Sequence, residues 1–228
     1  MTDYYGMLKL KGPKEWEQVV GSAKWKPKRS AYELAHAWHG APRPPQRISE
    51  LLDASGVAHF AGLKLDLCIV EQPTFLDSRK GPSFTDLVAY ATNDAGKSIV
   101  LGVEGKATEP FGPIVQQWLS EGGETRRKRL SYLCEILGIK DAATTRQLRY
   151  QLLHRTSATA LEAAKAGADA AAVIVHSFAR CDDNKADYEA FLQLLGVKSA
   201  TLAGPVRCRP SPTAAMPVYF AWVDQPVP

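Results

Sequence analysis

Cysteine is scarce in this chain, which has only four in 228 residues. The four are widely separated, and no two have the CxxC spacing of a zinc or redox site. Cys68 and Cys134 lie in apolar stretches and are expected to be small core residues. The pattern therefore favours reduced thiols in a cytoplasmic protein over a disulfide-stabilised secreted one.

Long hydrophobic runs are also missing. The longest wholly apolar run, Ala170 to Val175, is far too short to cross a bilayer. The first residues, MTDYYGMLKLKG, include acidic Asp3 and no apolar stretch, so we do not expect a signal peptide there. No membrane association is predicted.

Several enzyme motifs are absent as well. The chain has no GxxxxGK[ST], GxGxxG or GxSxG pattern, which leaves a nucleotide-driven motor, a dinucleotide enzyme and an α/β-hydrolase without support. A net charge of +4 permits contact with a phosphate backbone but does not require it. A hydrophobic content of 45% and a charged content of 23% are those of an ordinary globular domain.

The order of predicted elements indicates an α/β protein. Residues 1–29 mix lysines with Trp16, Trp25 and two breaking prolines, and we predict an N-terminal arm followed by a single domain over 30–228. Periodicity and breakers predict helices over 30–38, 49–53, 113–120, 125–137, 144–166 and 187–195, strands over 64–70, 85–92, 97–107, 171–178 and 218–223, and a loop over 205–217.

The second and third strands carry the most informative residues. Asn93-Asp94-Ala95-Gly96 between them is a strong hairpin signal. If the turn centres on Ala95, Asp86 lies directly opposite Glu104, and opposed residues share a face of the sheet. Lys106 is two residues beyond Glu104 and shares that face too. Two carboxylates and a lysine are thus predicted to meet.

Two carboxylates this close repel one another unless a cation sits between them. Oxygen ligands of this kind favour Mg²⁺ or Mn²⁺, with water and substrate phosphate completing the shell. The alternative is that Glu104 and Lys106 belong only to a solvated face of a hairpin.

An Asp followed by Glu-x-Lys, within a helix–three-strand–helix–strand order, resembles the PD-(D/E)XK nuclease superfamily. The resemblance implies a restriction-endonuclease-like αβββαβ core, a central mixed sheet flanked by helices, with additional helices. It makes Asp86 and Glu104 metal ligands, lets the carbonyl of Gly105 face the metal, and makes Lys106 the catalytic lysine. The blocks VEGKATEPFGP and RYQLLHR are further similar to an uncharacterised bacterial family.

The chain departs from the superfamily pattern at two positions. Thr85 replaces the proline before the aspartate, and Gly105 replaces an aliphatic core residue, which would let the following helix pack closely. The resemblance implies a Mg- or Mn-dependent phosphodiesterase with DNA or RNA as its partner. The alternatives are a non-catalytic binding or assembly module on the same scaffold, and an enzyme for small phosphorylated molecules. Oligomeric state is not indicated.

Helix 144–166 is expected to support the site. Gln147, Gln151 and His154 fall on one stripe of it, and the resemblance makes Gln151 and His154 candidates for contact with phosphate or water. The alternative is a polar face at a packing boundary. Arg149 and Arg155 are placed on other sides of the helix.

Three further groups stay open. One of Glu33, Glu50 and Glu71 is a candidate for an extra acidic ligand, which the resemblance allows. The basic run 126–129 begins a helix, where it either binds phosphate or forms a solvated face. His36, Trp38 and His39 lack an identifiable third ligand and are better explained by a helix end packed on the core.

Overall fold

The structure, a computed structural model, describes residues 2–6, 8–77, 81–198, 201–211 and 214–227. The strands within them are β1 (Asp3–Tyr5), β2 (Lys9–Leu10), β3 (Lys64–Thr74), β4 (Ser83–Thr92), β5 (Ser98–Lys106), β6 (Ala170–Ser177), β7 (Ala203–Ser211) and β8 (Ala214–Asp224). The α-helices are α1 (Glu17–Val20), α2 (Ser30–Trp38), α3 (Gln46–Ala54), α4 (Val115–Ser120), α5 (Glu124–Leu137), α6 (Tyr150–Lys165) and α7 (Asp182–Leu194).

These strands form one mixed sheet in the order β2-β1-β3-β4-β5-β6-β8-β7. β3, β4 and β5 make an antiparallel meander, whereas β5, β6 and β8 run parallel to one another. One apolar core lies between the sheet and α5, α6 and α7, and a second lies between the sheet and α2 and α3. The predicted α/β class with a central mixed sheet flanked by helices is confirmed.

The predicted register of the hairpin is also confirmed. Leu87 pairs with Val103 and Thr92 pairs with Ser98, which places the centre of the turn at Ala95. The side chain of Asn93 stabilises this turn, because its Oδ1 accepts hydrogen bonds from two backbone N–H groups of the loop, at 2.9 and 2.8 Å. Local turn chemistry therefore sets which residues of β4 and β5 face each other.

Helix α6 begins later than the sequence suggested. The prediction of a helix from residue 144 was wrong, because the side chain of Asp141 caps a short 3₁₀ helix, Ala142–Thr145, and Arg149 then makes an isolated bridge with Ile114. α6 proper starts at Tyr150. No helix within the described residues combines the length and the apolar character needed to cross a membrane.

Close packing brings α6 down onto β5. A Cβ atom on Gly102 would lie 1.9 Å from Oγ1 of Thr159, a distance that no side chain tolerates. A glycine at this point of the strand lets the backbone of the sheet approach the helix. The first turns of α6 are thereby held above the end of β5.

The C-terminal part of the chain contains more strand than predicted. Residues 205–217, expected to form a loop, lie mostly in β7 and in the start of β8, which pair in antiparallel orientation. β7 lies at the edge of the sheet, where prolines are tolerated because one side of the strand needs no hydrogen-bond donors. α7 likewise starts at Asp182 instead of 187.

Part of the segment expected to form an N-terminal arm joins the sheet and its core in the structure. β1 pairs in parallel with β3 and extends the sheet on that side. Tyr4, Leu10 and Trp16 are buried in the same core as α2 and α3. Burial of these large apolar side chains stabilises the docked position of the segment.

Candidate active site

The predicted residues of the hairpin meet where β4 and β5 diverge. Oδ2 of Asp86 accepts a hydrogen bond of 3.0 Å from the backbone N–H of Gly105, so a side chain replaces the ladder at this point. Nζ of Lys106 lies 3.0 Å from Oε1 of Glu104. Both of these side chains are almost fully buried, whereas about a quarter of the Asp86 side chain, 24%, is exposed.

Gly105 has a packing role that differs from the expected one. A Cβ atom there would lie 3.3 Å from Cβ of Ser30 and 3.6 Å from Cδ2 of Leu34. The element that packs closely is therefore the preceding helix, α2, and the prediction of close packing by the following helix was wrong. The start of α2 is brought against the strand that carries Glu104 and Lys106.

Helix α6 supplies two residues that the sequence singled out. Nε2 of Gln151 donates to Oε1 of Glu104 at 2.6 Å, and its Oε1 accepts from Nζ of Lys106 at 3.1 Å. His154 lies beside them, with its Nδ1 2.8 Å from Oγ of Ser83. Gln147, the third residue of the predicted stripe, bonds to Gln116 on the surface instead.

Arg155 is the residue that sequence reasoning missed. Its Nε donates to Oε2 of Glu104 at 2.6 Å, its Nη2 lies 3.7 Å from Oδ1 of Asp86, and its Nη1 donates to Ser83 at 2.9 Å. The placement of Arg155 on another side of the helix was wrong, because residues four apart, such as Gln151 and Arg155, share a helix face. Arg149, in contrast, pairs with Asp187, 2.7 Å away.

Glu71 extends the row of carboxylates onto β3. The β3–β4 ladder pairs Val70 with Leu87 and Gln72 with Thr85, so Glu71 lies between these pairs, opposite Asp86. Its backbone is in the left-handed region, with φ of 50°. Such a conformation is strained for a residue with a side chain and is concentrated at functional sites.

Of the three candidates for an extra acidic residue, Glu71 alone lines the cavity described below. Glu33 accepts a hydrogen bond from the backbone of Lys28, and Glu50 accepts one from Gln46 on the surface of α3. Burial raises the pKa of Glu71, and Lys24, whose Nζ is 3.9 Å away, opposes part of that rise.

The surroundings shift the pKa values of Asp86 and Glu104 in opposite directions. Burial, together with the neighbouring charge of Glu104, raises the pKa of Asp86 to about 7. Burial alone would raise the pKa of Glu104 too, but Arg155 and Lys106 outweigh it, so that this pKa falls below its ordinary range. Burial lowers the pKa of His154 well below its ordinary value, with Arg155 adding to the effect. Glu104 is therefore ionised and His154 neutral at pH 7.

These groups line one open cavity of about 690 Å³. Its walls also include Lys24 and Arg29 from the N-terminal segment and Glu109 from the loop after β5. Within the described residues, Oε2 of Glu109 is buried without a hydrogen-bond partner. The cavity is large enough for a phosphate group with part of the molecule that carries it.

The two other clusters that the sequence singled out, His36, Trp38 and His39 and the basic run 126–129, lie outside this cavity. Nε1 of Trp38 donates to Nδ1 of His176, and Nε1 of Trp16 donates to Nδ1 of His39, each at 3.1 Å, which agrees with a helix end packed on the core. In the basic run, Arg129 pairs with Asp77 at 3.1 Å, and its neighbours pair with glutamates on the surface.

The fold and these side chains define an α/β protein with a cluster of interacting acidic and basic groups at the ends of three strands of its mixed sheet. The chain matches the model of the family described as domain of unknown function (DUF6946) over residues 9–227, and it belongs to that family. No curated protein and no solved structure matches the chain.

Proposed function

We propose that this protein is a metal-dependent phosphodiesterase that acts on nucleic acid. The observation that carries the proposal is the meeting of Asp86, Glu104 and Lys106 in one cavity, with Nζ of Lys106 3.0 Å from Oε1 of Glu104. The order of helix, three strands, helix and strand around them supports a PD-(D/E)XK-like scaffold. The four free cysteines support a reducing compartment, and we place the function in the cytoplasm.

The donor set suits Mg²⁺ or Mn²⁺. In the described part of the chain, no three His, Cys, Asp or Glu side chains are arranged to hold a metal ion. Mg²⁺, however, commonly takes only one or two carboxylates, with water and substrate phosphate filling the rest of its shell. Oδ1 of Asp86 is open to such a ligand, because Arg155 lies 3.7 Å from it, beyond hydrogen-bond length.

Glu104 and the carbonyl of Gly105 complete the proposed ligands. The N–H of Gly105 points to Asp86, and in an extended strand the carbonyl of the same residue projects to the same side. The buried, unpartnered oxygen of Glu109 in the cavity wall is a further polar atom that suits a cation or an ordered water. A bound ion would supply Lewis-acid stabilisation of charge on the phosphate.

The protein's own groups would position the phosphate and the attacking water. Lys106 donates hydrogen bonds to Glu104 and Gln151 through two of its three N–H groups. The third is left for a water or a phosphate oxygen. His154 is neutral, so its ring does not repel a cation nearby. Arg155 holds a permanent positive charge beside the carboxylates, where it would offset the charge of a bound phosphodiester.

A second function is favoured by the saturation of Glu104. Its two oxygens accept from Lys106, Gln151 and Arg155, so the site is already neutralised without a metal. A closed network of this kind suits a non-catalytic binding module that keeps the scaffold.

Cleavage assays separate the two functions. Wild-type protein, Asp86→Asn and Asp66→Asn are incubated with labelled single- and double-stranded DNA and RNA in Mg²⁺, Mn²⁺ or EDTA. Asp66 is the matched control, because it lies on β3 with its side chain bonded to Thr92 on the surface. We expect wild type and Asp66→Asn to cleave in Mg²⁺ or Mn²⁺ but not in EDTA. Asp86→Asn should not cleave under any of these conditions. Folded wild-type protein that cuts no substrate in either metal would favour the binding module.

A further inference from the structure

The net charge of the chain is concentrated at its start. Residues 1–29 contain seven basic and three acidic residues, which equals the whole net charge of +4. The remaining residues balance, with 21 basic and 21 acidic. The segment 1–29 therefore carries the positive field that attracts a polyanion.

Aromatic side chains lie among these charges. The ring of Tyr32 lies 5.1 Å from that of Trp25 and is stacked on that of His36 at 4.2 Å. Trp25 and Tyr32 are partly exposed, and His36 is exposed. Lys26 and Lys28, next to Trp25 in sequence, are exposed as well.

The same surface is continuous with the cavity. Lys24 and Arg29 line the cavity, and Nζ of Lys24 approaches the carboxylate of Glu71 to 3.9 Å. Trp25 follows Lys24 directly, and Tyr32 is two residues after the cavity-lining Ser30. We call this region, residues 24–36, the basic–aromatic surface.

We propose that the basic–aromatic surface binds single-stranded nucleic acid and directs it into the cavity. Cationic side chains that follow a backbone, with aromatic rings on which bases stack, are the means by which proteins hold single strands. A duplex keeps its bases stacked internally, so only a single strand offers base faces to Trp25 and His36. The direction toward the cavity rests on the proposed function, whereas the binding itself does not.

Binding is measured by fluorescence anisotropy in EDTA, with a labelled oligothymidylate and a duplex of equal length. Lys26→Gln/Lys28→Gln is compared with Lys165→Gln/Lys185→Gln, which removes the same charge from exposed positions on α6 and α7. We expect the first variant to bind the single strand about tenfold more weakly and the second to bind as wild type does. Each lost phosphate contact should also lower the salt dependence of binding by about 0.7 in the log–log slope.

Photo-crosslinking tests the aromatic part. A single strand that carries 5-iodouracil should cross-link to Trp25, Tyr32 or His36, as mapped by mass spectrometry, and Trp25→Leu should lose most of the product. Circular dichroism of Trp25→Leu checks that the variant folds, and His36→Ala, at an exposed position, should lower the yield of cross-linked product as well.

Four results would overturn the inference. They are equal losses in the two lysine pairs, duplex bound as tightly as single strand, cross-links confined to other surfaces, and preferential binding of anionic vesicles through Lys26 and Lys28. Tight binding in EDTA without cleavage in metal would leave this inference standing while the proposed activity fails. Cleavage that is unaffected by Lys26→Gln/Lys28→Gln would leave the proposed activity standing while this inference fails.

Discussion

Nε of Arg155 lies 2.6 Å from Oε2 of Glu104, and the same guanidinium reaches toward Asp86. The guanidinium of Arg155, on α6, therefore lies next to carboxylates from two strands. Because burial makes an unpaired charge costly, this pairing keeps Glu104 ionised in the interior. The same position is the one that a divalent ion would need to share.

Arg155→Gln should therefore destabilise the metal-free protein and strengthen its response to metal. Loss of the buried partner of Glu104 should cost about 3 kcal/mol of unfolding free energy. The thermal stabilisation by Mn²⁺ should become larger than in wild type, because the competing cation is gone. Arg149→Gln, which breaks the pair with Asp187 outside the cavity, is the control and should respond to Mn²⁺ as wild type does. Equal responses in all three proteins would show that Arg155 and the metal do not compete.

Asp86→Asn tests the metal site without reference to activity. A ligand that binds only the folded state stabilises it by mass action, so wild-type protein should melt at a higher temperature in millimolar Mg²⁺ or Mn²⁺. Asp86→Asn should lose this gain, whereas Asp66→Asn should keep it. The measurement is differential scanning fluorimetry with and without EDTA. An equal gain in Asp86→Asn would place the metal elsewhere.

Lys106→Ala should separate catalysis from metal binding. The lysine forms no metal–oxygen bond, so its charge would act on the water or on the crowded phosphate in the transition state. Loss of one such preorganised group typically lowers the rate by about a hundred- to a thousandfold. Single-turnover cleavage should fall by this factor, while the thermal gain in Mn²⁺ persists. Lys97→Ala, which breaks an exposed pair with Asp169, should leave the rate unchanged. Wild-type rates from Lys106→Ala would assign the cleavage to another site.

His176 should make the protein sensitive to acid. Trp38 can only donate, so Nδ1 of His176 accepts and its Nε2–H donates to Gln225, which defines a neutral ring. Burial lowers the pKa of His176 to about 4. In the unfolded chain this histidine binds a proton near pH 6.5, whereas in the folded state it stays neutral down to about pH 4. The free energy of unfolding should therefore fall as the pH drops from about 6.5 to about 4.

At about 1.4 kcal/mol per unit of pKa, the loss of unfolding free energy on acidification is on the order of 3 kcal/mol. Urea denaturation at pH 7 and pH 4.5 measures it. His176→Gln should be less stable than wild type at pH 7 but should lose less on acidification. His59→Gln is the control and should keep the wild-type dependence. An unchanged slope in His176→Gln would mean that other groups dominate acid unfolding.

The part of the candidate site that lies on β4 and β5 was predictable from sequence. The side-chain period of two and the local chemistry of the turn decide which residues of a hairpin oppose each other. Asn93 caps the turn through its own side chain, so no distant contact is needed to set the register. The start of α2 was predicted at Ser30 as a candidate N-cap; the helix does start at Ser30, but Arg29 occupies the N-cap position.

Tertiary structure decided the remaining members of the site. Glu71 joins the row because β3 pairs with β4 and its backbone takes a left-handed conformation, which no local pattern indicated. Arg155 shares a face with Gln151, and the close approach of α6 to β5 at Gly102 brings that face against Glu104. β7 and the docked N-terminal segment likewise depend on partners distant in the chain. Periodicity determines which residues of one element share a face, whereas packing between elements determines what that face meets.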